Sequence, residues 1–385
     1  MEAISRWSIR ALPEGGRRRA GGLEGLWVDW LRRSPAYYRA LWSLGREPEV
    51  RLGQIHLEAT NLCNLRCVTC HNPKQKAPTG MMSMEMAREV IDQAWAAIGP
   101  EGVLGFYIRG ESTLHGELPE MIGYARQRGF RRLLLSTNAA RLKPAQIEGL
   151  LEAGLSELRL SMDGADAQTF ERIRVGASHR RVCANVEALD RARRRVGSAC
   201  VFRLHAALDA QGFGQIPRFV RRWAHVVQRF KFTVAVNQGG LFDEATARAL
   251  SGMRFATSTA YQIPCRLLFG YAGVTWDGKI TSCCVDYDEH FLVGRLDEGI
   301  EATFLGERAE ALRSSHLRGD FGVLCGQCGF ASALVDWFED EVERYVSRHF
   351  GALCDPALDG RFERWLGDTV ERFNALAAEA EGPGA

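Results

Sequence analysis

Apolar and polar positions begin to alternate at residue 54. QIHLEA (54–59) reads as a strand. Ser83 then stands ahead of MEMAREVIDQAWAAI, where helical spacing takes over and the serine is placed to cap it. VLGFYIRG (103–110), RRLLLSTN (131–138), ELRLSMDG (157–164), ACVFRLHAAL (199–208) and FKFTVAVN (230–237) give five more strands. Between them, helical spacing predicts helices near 117–128, 144–153, 166–173, 179–195 and 214–228. Strand alternating with helix predicts a parallel sheet with covering helices. Two α/β arrangements remain open, a doubly wound sheet and a partial barrel. In both, chemistry belongs at the C-terminal ends of the strands.

The pattern changes outside that stretch. Residues 1–53 hold GGRRRAGG and an aromatic-rich piece in which Trp27, Trp30, Leu31, Tyr38, Leu41 and Trp42 recur at helical spacing, predicting an N-terminal helical extension. The alternating region, 54–238, is the expected core. In 239–330, GYAGVTWDGKITSCC (270–284) predicts a hairpin turning at Asp277-Gly278. A helical stretch near 301–314 follows, and 331–385 reads as a charged helical tail.

Composition narrows the picture. Of 385 residues, 46% are hydrophobic and 25% charged, an ordinary globular balance. With 49 basic and 47 acidic residues the net charge is +2, so no nucleic-acid partner is expected. No apolar run reaches membrane-spanning length, and MEAISRWSIR lacks the apolar centre of an export signal. Eleven cysteines in such a chain predict a reducing, cytoplasmic setting where they bind metal or react.

The densest chemistry follows the first strand. CNLRCVTC (63–70) spaces Cys63, Cys67 and Cys70 as C-x3-C-x2-C. Thiolates favour zinc, copper(I) or iron–sulfur clusters. A structural zinc site wants four ligands, which His71 or a distant residue could complete. A four-iron cluster held by three thiolates keeps one iron open to another ligand. The other strand ends carry Arg109-Gly110-Glu111-Ser112, Ser136-Thr137-Asn138, Ser161-Met162-Asp163 and Asp209, so polar groups gather on one rim.

These residues resemble the radical S-adenosylmethionine (SAM) superfamily across roughly 54–330. The resemblance rests on the cysteine triplet, RGESTLH (109–115), STNAARL (136–142) and SMDGADAQTFERIRVGA (161–177), in that order. The family often has Gly-Gly-Glu-Pro where this chain has Arg109-Gly110-Glu111-Ser112, and an aromatic residue where it has Thr69. The resemblance implies a six-stranded partial (β/α)6 TIM barrel with a [4Fe-4S] cluster on Cys63, Cys67 and Cys70. It implies SAM contacts at Gly110, Glu111, Ser161 and Arg174, with Glu111 receiving the SAM amino group. Asn138 would face ribose or substrate. Cys265, twelve residues to Gly278, four more to Cys283, then Cys325-x2-Cys328, resemble a SPASM domain in its shortened Twitch form. That form implies a second [4Fe-4S] cluster, and the spacing is similar to that of 2-deoxy-scyllo-inosamine dehydrogenase-like enzymes. A zinc ribbon on the same four cysteines is the alternative, and Cys284 could replace Cys283.

By that resemblance, one electron from the first cluster cleaves SAM, and the resulting 5′-deoxyadenosyl radical takes hydrogen from a small-molecule substrate. A sugar or aminocyclitol of natural-product biosynthesis is expected, oxidised with help from the second cluster, with a reductant such as flavodoxin or ferredoxin. Epimerisation by thiol hydrogen return, and peptide modification, are the alternatives. Residues 1–50 look short for a leader-peptide domain. Cys183 reads as a small core residue, Cys200 falls at the wrong strand end, and Cys354 could fold over the mouth. Asp163, Arg109 and His205 are the candidate catalytic residues.

Overall fold

The computed structural model describes residues 48–239 and 262–381. The chain divides into Met1–Val50 and a compact unit, Arg51–Ala385. The expected N-terminal helices lie outside the described residues.

Six parallel strands form the core: β1 (Gln54–Leu57), β2 (Val103–Gly105), β3 (Arg132–Thr137), β4 (Glu157–Ser161), β5 (Val201–Leu208) and β6 (Arg229–Val234). Helices α1 (Met84–Ile98), α2 (Leu118–Arg128), α3 (Pro144–Glu152), α4 (Ala167–Ile173), α5 (His179–Arg195) and α6 (Ile216–Trp223) connect them. Three further strands, β7 (Tyr271–Val274), β8 (Lys279–Thr281) and β9 (Leu292–Arg295), extend the same sheet in the order β6-β5-β4-β3-β2-β1-β7-β8-β9. The result is an unclosed partial barrel, which resolves the choice left open by the alternation.

Strand alternation decides what each face does. On β4 and β5, Leu158, Leu160, Phe202, Leu204, Ala206 and Leu208 are buried in one apolar core with Val182, Val186 and Leu189 of α5. Each of the leucine, valine and phenylalanine side chains contributes about 1.5–3 kcal/mol of burial. The residues between them, Glu157, Arg159, Ser161, Arg203 and His205, face the other way, into the barrel. Ser83 caps α1 by accepting from the Met86 N–H at 3.2 Å. The expected helix over 214–228 is shorter. Asp209 caps a single turn, Ala210–Phe213, and α6 restarts at Ile216 with Pro217 in its first turn.

The hairpin over 270–284 is present, with Gly278 at φ 80° in its turn. Its first strand also pairs in parallel with β1, so the auxiliary region shares the barrel's sheet. Two helices, α7 (Ile300–Leu305) and α8 (Glu307–Leu317), meet at Gly306. In the tail, α9 (Ala333–Arg348) covers edge strand β6. There Glu339 accepts from the Val234 N–H at 2.9 Å and Glu343 pairs with Lys231 at 3.0 Å. Helix α10 (Asp359–Glu381) completes the tail. No described helix is long and apolar enough to cross a membrane.

Candidate active site

The cysteine triplet occupies the loop leaving β1. Backbone bonds from Arg66 to Val175 and from Val68 to Ile173, both 2.9 Å, pin this loop to the end of α4. The Cys70 N–H donates to Cys67 O at 3.2 Å, folding the x2 spacing into a turn. Burial pushes the Cys63 thiol up to about 12, and Glu111, Cys67 and Cys70 add to it. Burial pushes Cys67 up to about 11 despite Arg174 nearby. Thiols so placed ionise only when a cation takes up their charge, so their chemistry fits a bound metal cluster.

Strand β2 ends at Gly105, earlier than the alternation predicts, and the chain reaches the cysteine loop at Glu111. Gly110 makes that approach possible. Its φ is 71°, and a Cβ there would lie 2.6–2.7 Å from backbone atoms of Thr60, Asn61 and Leu62. The next residue, Glu111, donates its N–H to Leu62 O at 2.8 Å and is 3% exposed. Its Oε1 accepts from the Thr113 and Thr137 hydroxyls at 2.6 Å each, and its Oε2 from the Asn138 N–H at 2.7 Å. Among the described residues no basic side chain pairs with this buried acid. A carboxylate of that kind beside the cysteine loop suits an ammonium ligand such as that of SAM. Ser112 adds a buried hydroxyl with no hydrogen-bond partner among the described residues.

The other rim residues are held by partners that spacing did not reveal. Asn138 donates to Asn64 Oδ1 at 3.0 Å and accepts from the Ala140 N–H at 2.9 Å, bracing the loop after β3. Arg174 Nε lies 2.7 Å from Asp163 Oδ2, while Asp163 Oδ1 accepts from the Ala207 N–H at 2.8 Å. Burial works against the Arg174 charge, but Asp163 and the nearby Cys67 outweigh it and raise the group above its ordinary value. Arg109 donates to both oxygens of Glu58, from Nε at 2.7 Å and Nη2 at 2.8 Å. Its Nη1 reaches the carbonyls of Asp286 at 3.4 Å and Tyr287 at 3.3 Å. Arg109 thus ties the rim to the loop between β8 and β9.

Ser161 ends β4 opposite His205 of β5. Burial holds His205 down at about 3, with Arg159 and Lys231 adding to the effect, so its imidazole is neutral. His56 is held at about 3 by burial and Arg159, and its ring packs 4.4 Å from Tyr107 and 5.0 Å from Tyr271. Arg159 donates to the Tyr107 hydroxyl at 2.5 Å and to Glu157 at 2.9 Å. His56, Tyr107 and Arg159 escaped the sequence reading, although QIH and ELRLS place polar residues at every second position. Together these groups make the barrel interior polar and rich in donors.

The second thiol set surrounds a cavity lined by Cys265, Cys283, Cys325 and Cys328, with Leu268, Phe291, Leu312 and Phe330 among its walls. The Cys328 N–H donates to Cys325 O at 3.1 Å, the turn that C-x2-C predicts. Burial raises all four thiols, Cys265 to about 11 and Cys325 to about 12. Cys284 is also raised to about 12 by burial, with Cys265 and Cys328 of this set adding to it. Among the described residues no three His, Cys, Asp or Glu side chains converge as the ligands of a single metal ion would. His71, the alternative fourth ligand for zinc, turns instead to Asp288 at 3.7 Å. Cys183 sits beside His179 on α5, and Cys200 is buried at the start of β5. Cys354 is exposed beside covering helix α6, where the preceding Leu353 carbonyl accepts from Arg221 at 3.2 Å, rather than over the mouth.

A radical SAM superfamily profile matches residues 57–205, and the SPASM iron–sulfur cluster-binding domain profile matches 265–329. The AdoMet-dependent heme synthase of Methanosarcina barkeri is 33% identical over 138 residues, covering 35% of this chain and 38% of the relative. A GTP 3′,8-cyclase of Klebsiella pneumoniae is 31% identical over 124 residues, covering 31% and 36%. The chain thus spans well under half the length of these curated relatives. The solved structure of BtrN in complex with AdoMet and 2-DOIA aligns at TM-score 0.52 and 18% identity, over 75% of this chain and 96% of that one. Streptococcus suis SuiB bound to precursor peptide SuiA aligns at TM-score 0.54 and 13% identity, over 81% and 76%. At such identities these structures share a fold.

Proposed function

We propose, from the premise that this chain carries a radical SAM domain at 57–205 followed by a SPASM domain at 265–329, that it is an enzyme oxidising a small polar molecule by hydrogen-atom abstraction. When bound, the group on Cys63, Cys67 and Cys70 supplies the electron that cleaves SAM into methionine and a hydrogen-abstracting radical, and the group on Cys265, Cys283, Cys325 and Cys328 supplies an acceptor for the electron the substrate loses. A reductant such as flavodoxin or ferredoxin would deliver the first electron.

The chain's own residues provide position and exclusion of water. Glu111 receives the ammonium of SAM, and the unpartnered Ser112 hydroxyl lies beside it. Gly110 lets both approach the cysteine loop, and Arg174 brings positive charge next to Cys67 for a carboxylate. Asp163 positions Arg174, and Arg109 positions the loop over 282–291. His56, Tyr107, Arg159 and His205 offer hydrogen bonds to a polyhydroxylated substrate. A sugar or aminocyclitol fits that interior, and the neighbour BtrN, solved with AdoMet and 2-DOIA, supports a small ligand. The observation that carries the reading is the unpaired buried acid Glu111 beside a three-thiol loop.

The other outcome for the substrate radical is hydrogen return from a thiol. Anaerobically reconstituted protein should carry about eight irons and release 5′-deoxyadenosine when given SAM and dithionite. Cys63→Ala should abolish that release. Cys325→Ala should keep SAM cleavage and lose substrate oxidation. Fully loaded protein that leaves SAM intact would end the proposal, while solvent deuterium found on product carbon would select hydrogen return over oxidation.

A further inference from the structure

The loop between β8 and β9 starts at the second thiol cavity and reaches the first. Cys283 lines that cavity, and Tyr287, four residues on, places its hydroxyl 3.4 Å from Cys70 Sγ. The tyrosine is 7% exposed. Its backbone is fixed on both sides. The Asp286 carboxylate accepts from the N–H groups of His290 at 2.7 Å and Phe291 at 2.8 Å, which holds the loop's curve. Arg109 donates to the Tyr287 carbonyl at 3.3 Å, and Asp288 accepts from the Lys76 N–H at 2.8 Å, docking the loop on the far side of the cysteine turn. Among the described residues the hydroxyl has one other partner, Gln238 Oε1 at 3.4 Å, beyond the end of β6. Both partners are acceptors when Cys70 is a cluster thiolate, so one proton is divided between them.

We propose that Tyr287 is a positioning residue that donates its hydroxyl proton to Cys70 and raises the reduction potential of the N-terminal cluster, so that the auxiliary domain tunes the site where SAM binds. The physical reason is local. A donor on a cluster thiolate withdraws negative charge from it, and the reduced state, which carries one more electron, gains most. Gln238 competes for the same proton and sets how much of it reaches the sulfur. The inference rests on the radical SAM reading only for the presence of the cluster on Cys63, Cys67 and Cys70.

The test uses the full chain, reconstituted anaerobically, in redox titrations followed by electron paramagnetic resonance. The N-terminal cluster is recognised as the signal that SAM perturbs. Tyr287→Phe should leave iron content and SAM binding at parental levels and shift that cluster's midpoint to more negative potential. It should also remove one solvent-exchangeable proton coupling from the cluster's electron–nuclear double resonance spectrum in H2O against D2O. Gln238→Leu removes the competing acceptor and should shift the midpoint the opposite way. It keeps the test decisive should Tyr287→Phe fail to load iron. Unchanged potentials in the loaded variants, or two shifts of the same sign, would overturn the proposal. A parent protein with no SAM-sensitive cluster would instead overturn the functional reading beneath it.

Discussion

Cys63, Cys67 and Cys70 lie beside a buried carboxylate, an Arg–Asp ion pair and a hydroxyl without a partner, whereas Cys265, Cys283, Cys325 and Cys328 line a cavity walled by Leu268, Phe291, Leu312 and Phe330. The ligand atoms are the same and the surroundings are opposite. Around the triplet, polar groups await a second molecule. Around the quartet, four thiols face apolar walls. On the proposed reading, the environment, more than the thiol, separates the site that would meet a reactant from the one that would store charge. The loop carrying Tyr287 joins the two, and Arg109 clamps that loop to the triplet side.

Breaking the clamp should give the largest effect. Arg109 is 2% exposed, Glu58 is fully buried, and the pair closes through two hydrogen bonds. Arg109→Met would leave the Glu58 charge buried and unpaired, at a cost of about 3–5 kcal/mol. Denaturant unfolding should show that loss. Arg109→Met with Glu58→Gln should recover much of it, since the uncompensated charge is then gone. If the single variant unfolds like the parent, the two sites are not held together through this pair.

The polar interior beneath the triplet predicts acid sensitivity. His205 has a folded value of about 3, below the ordinary 6.5, because burial and then Arg159, Lys231, Arg174 and Arg203 disfavour its charge. A depressed histidine takes up its proton in the unfolded chain first. Its contribution is therefore intact above about 6.5 and lost as pH falls towards about 3, at ~1.4 kcal/mol per pH unit. Glu339, raised to about 7 by burial, acts the other way, destabilising the fold as pH rises from about 4.5 through 7. The comparison must therefore be made between parent and variant. His205→Gln should reduce the slope of stability against pH by about one proton across this window, with His56 supplying a similar dependence that remains. An unaltered slope would mean that His205 is solvated and that the interior is wetter than its partners indicate.

Much of this arrangement was legible in the chain. Short apolar segments between helical stretches located all six core strands, with one-face burial plainest in β4 and β5, and Ser83 and Gly278 marked a cap and a turn. The parallel pairing of β7 with β1 was not legible, since a strand more than two hundred residues away leaves no local trace. The same holds for partners. Arg109 and Asp163 looked like rim groups facing substrate, and only folding brings Glu58, the Tyr287 carbonyl and Arg174 to them. Tyr287 carried no signal because its partner Cys70 lies 217 residues away. Beyond the end of β2, the left-handed backbone of Gly110 precedes Glu111, whose N–H bonds to Leu62 at the cysteine loop.

Two left-handed glycines give the smallest and sharpest contrast between the regions. Gly110, at φ 71°, faces backbone atoms of the cysteine loop at 2.6–2.7 Å, which cannot move without displacing the thiols. Gly278, at φ 80°, faces the flexible end of Met86 at 3.4–3.5 Å. Both alanine variants carry the strain of a left-handed non-glycine residue, about 1–2 kcal/mol. Gly278→Ala should lose no more than that, with iron content intact, because the methionine can give way. Gly110→Ala should lose more and also weaken SAM binding, because the added methyl drives Glu111 from the cysteine loop. Thermal unfolding and SAM titration of the two loaded variants separate the cases. Equal losses in both would show that the rim approach at Gly110 has slack, and the close fit claimed between Glu111 and the triplet would fail.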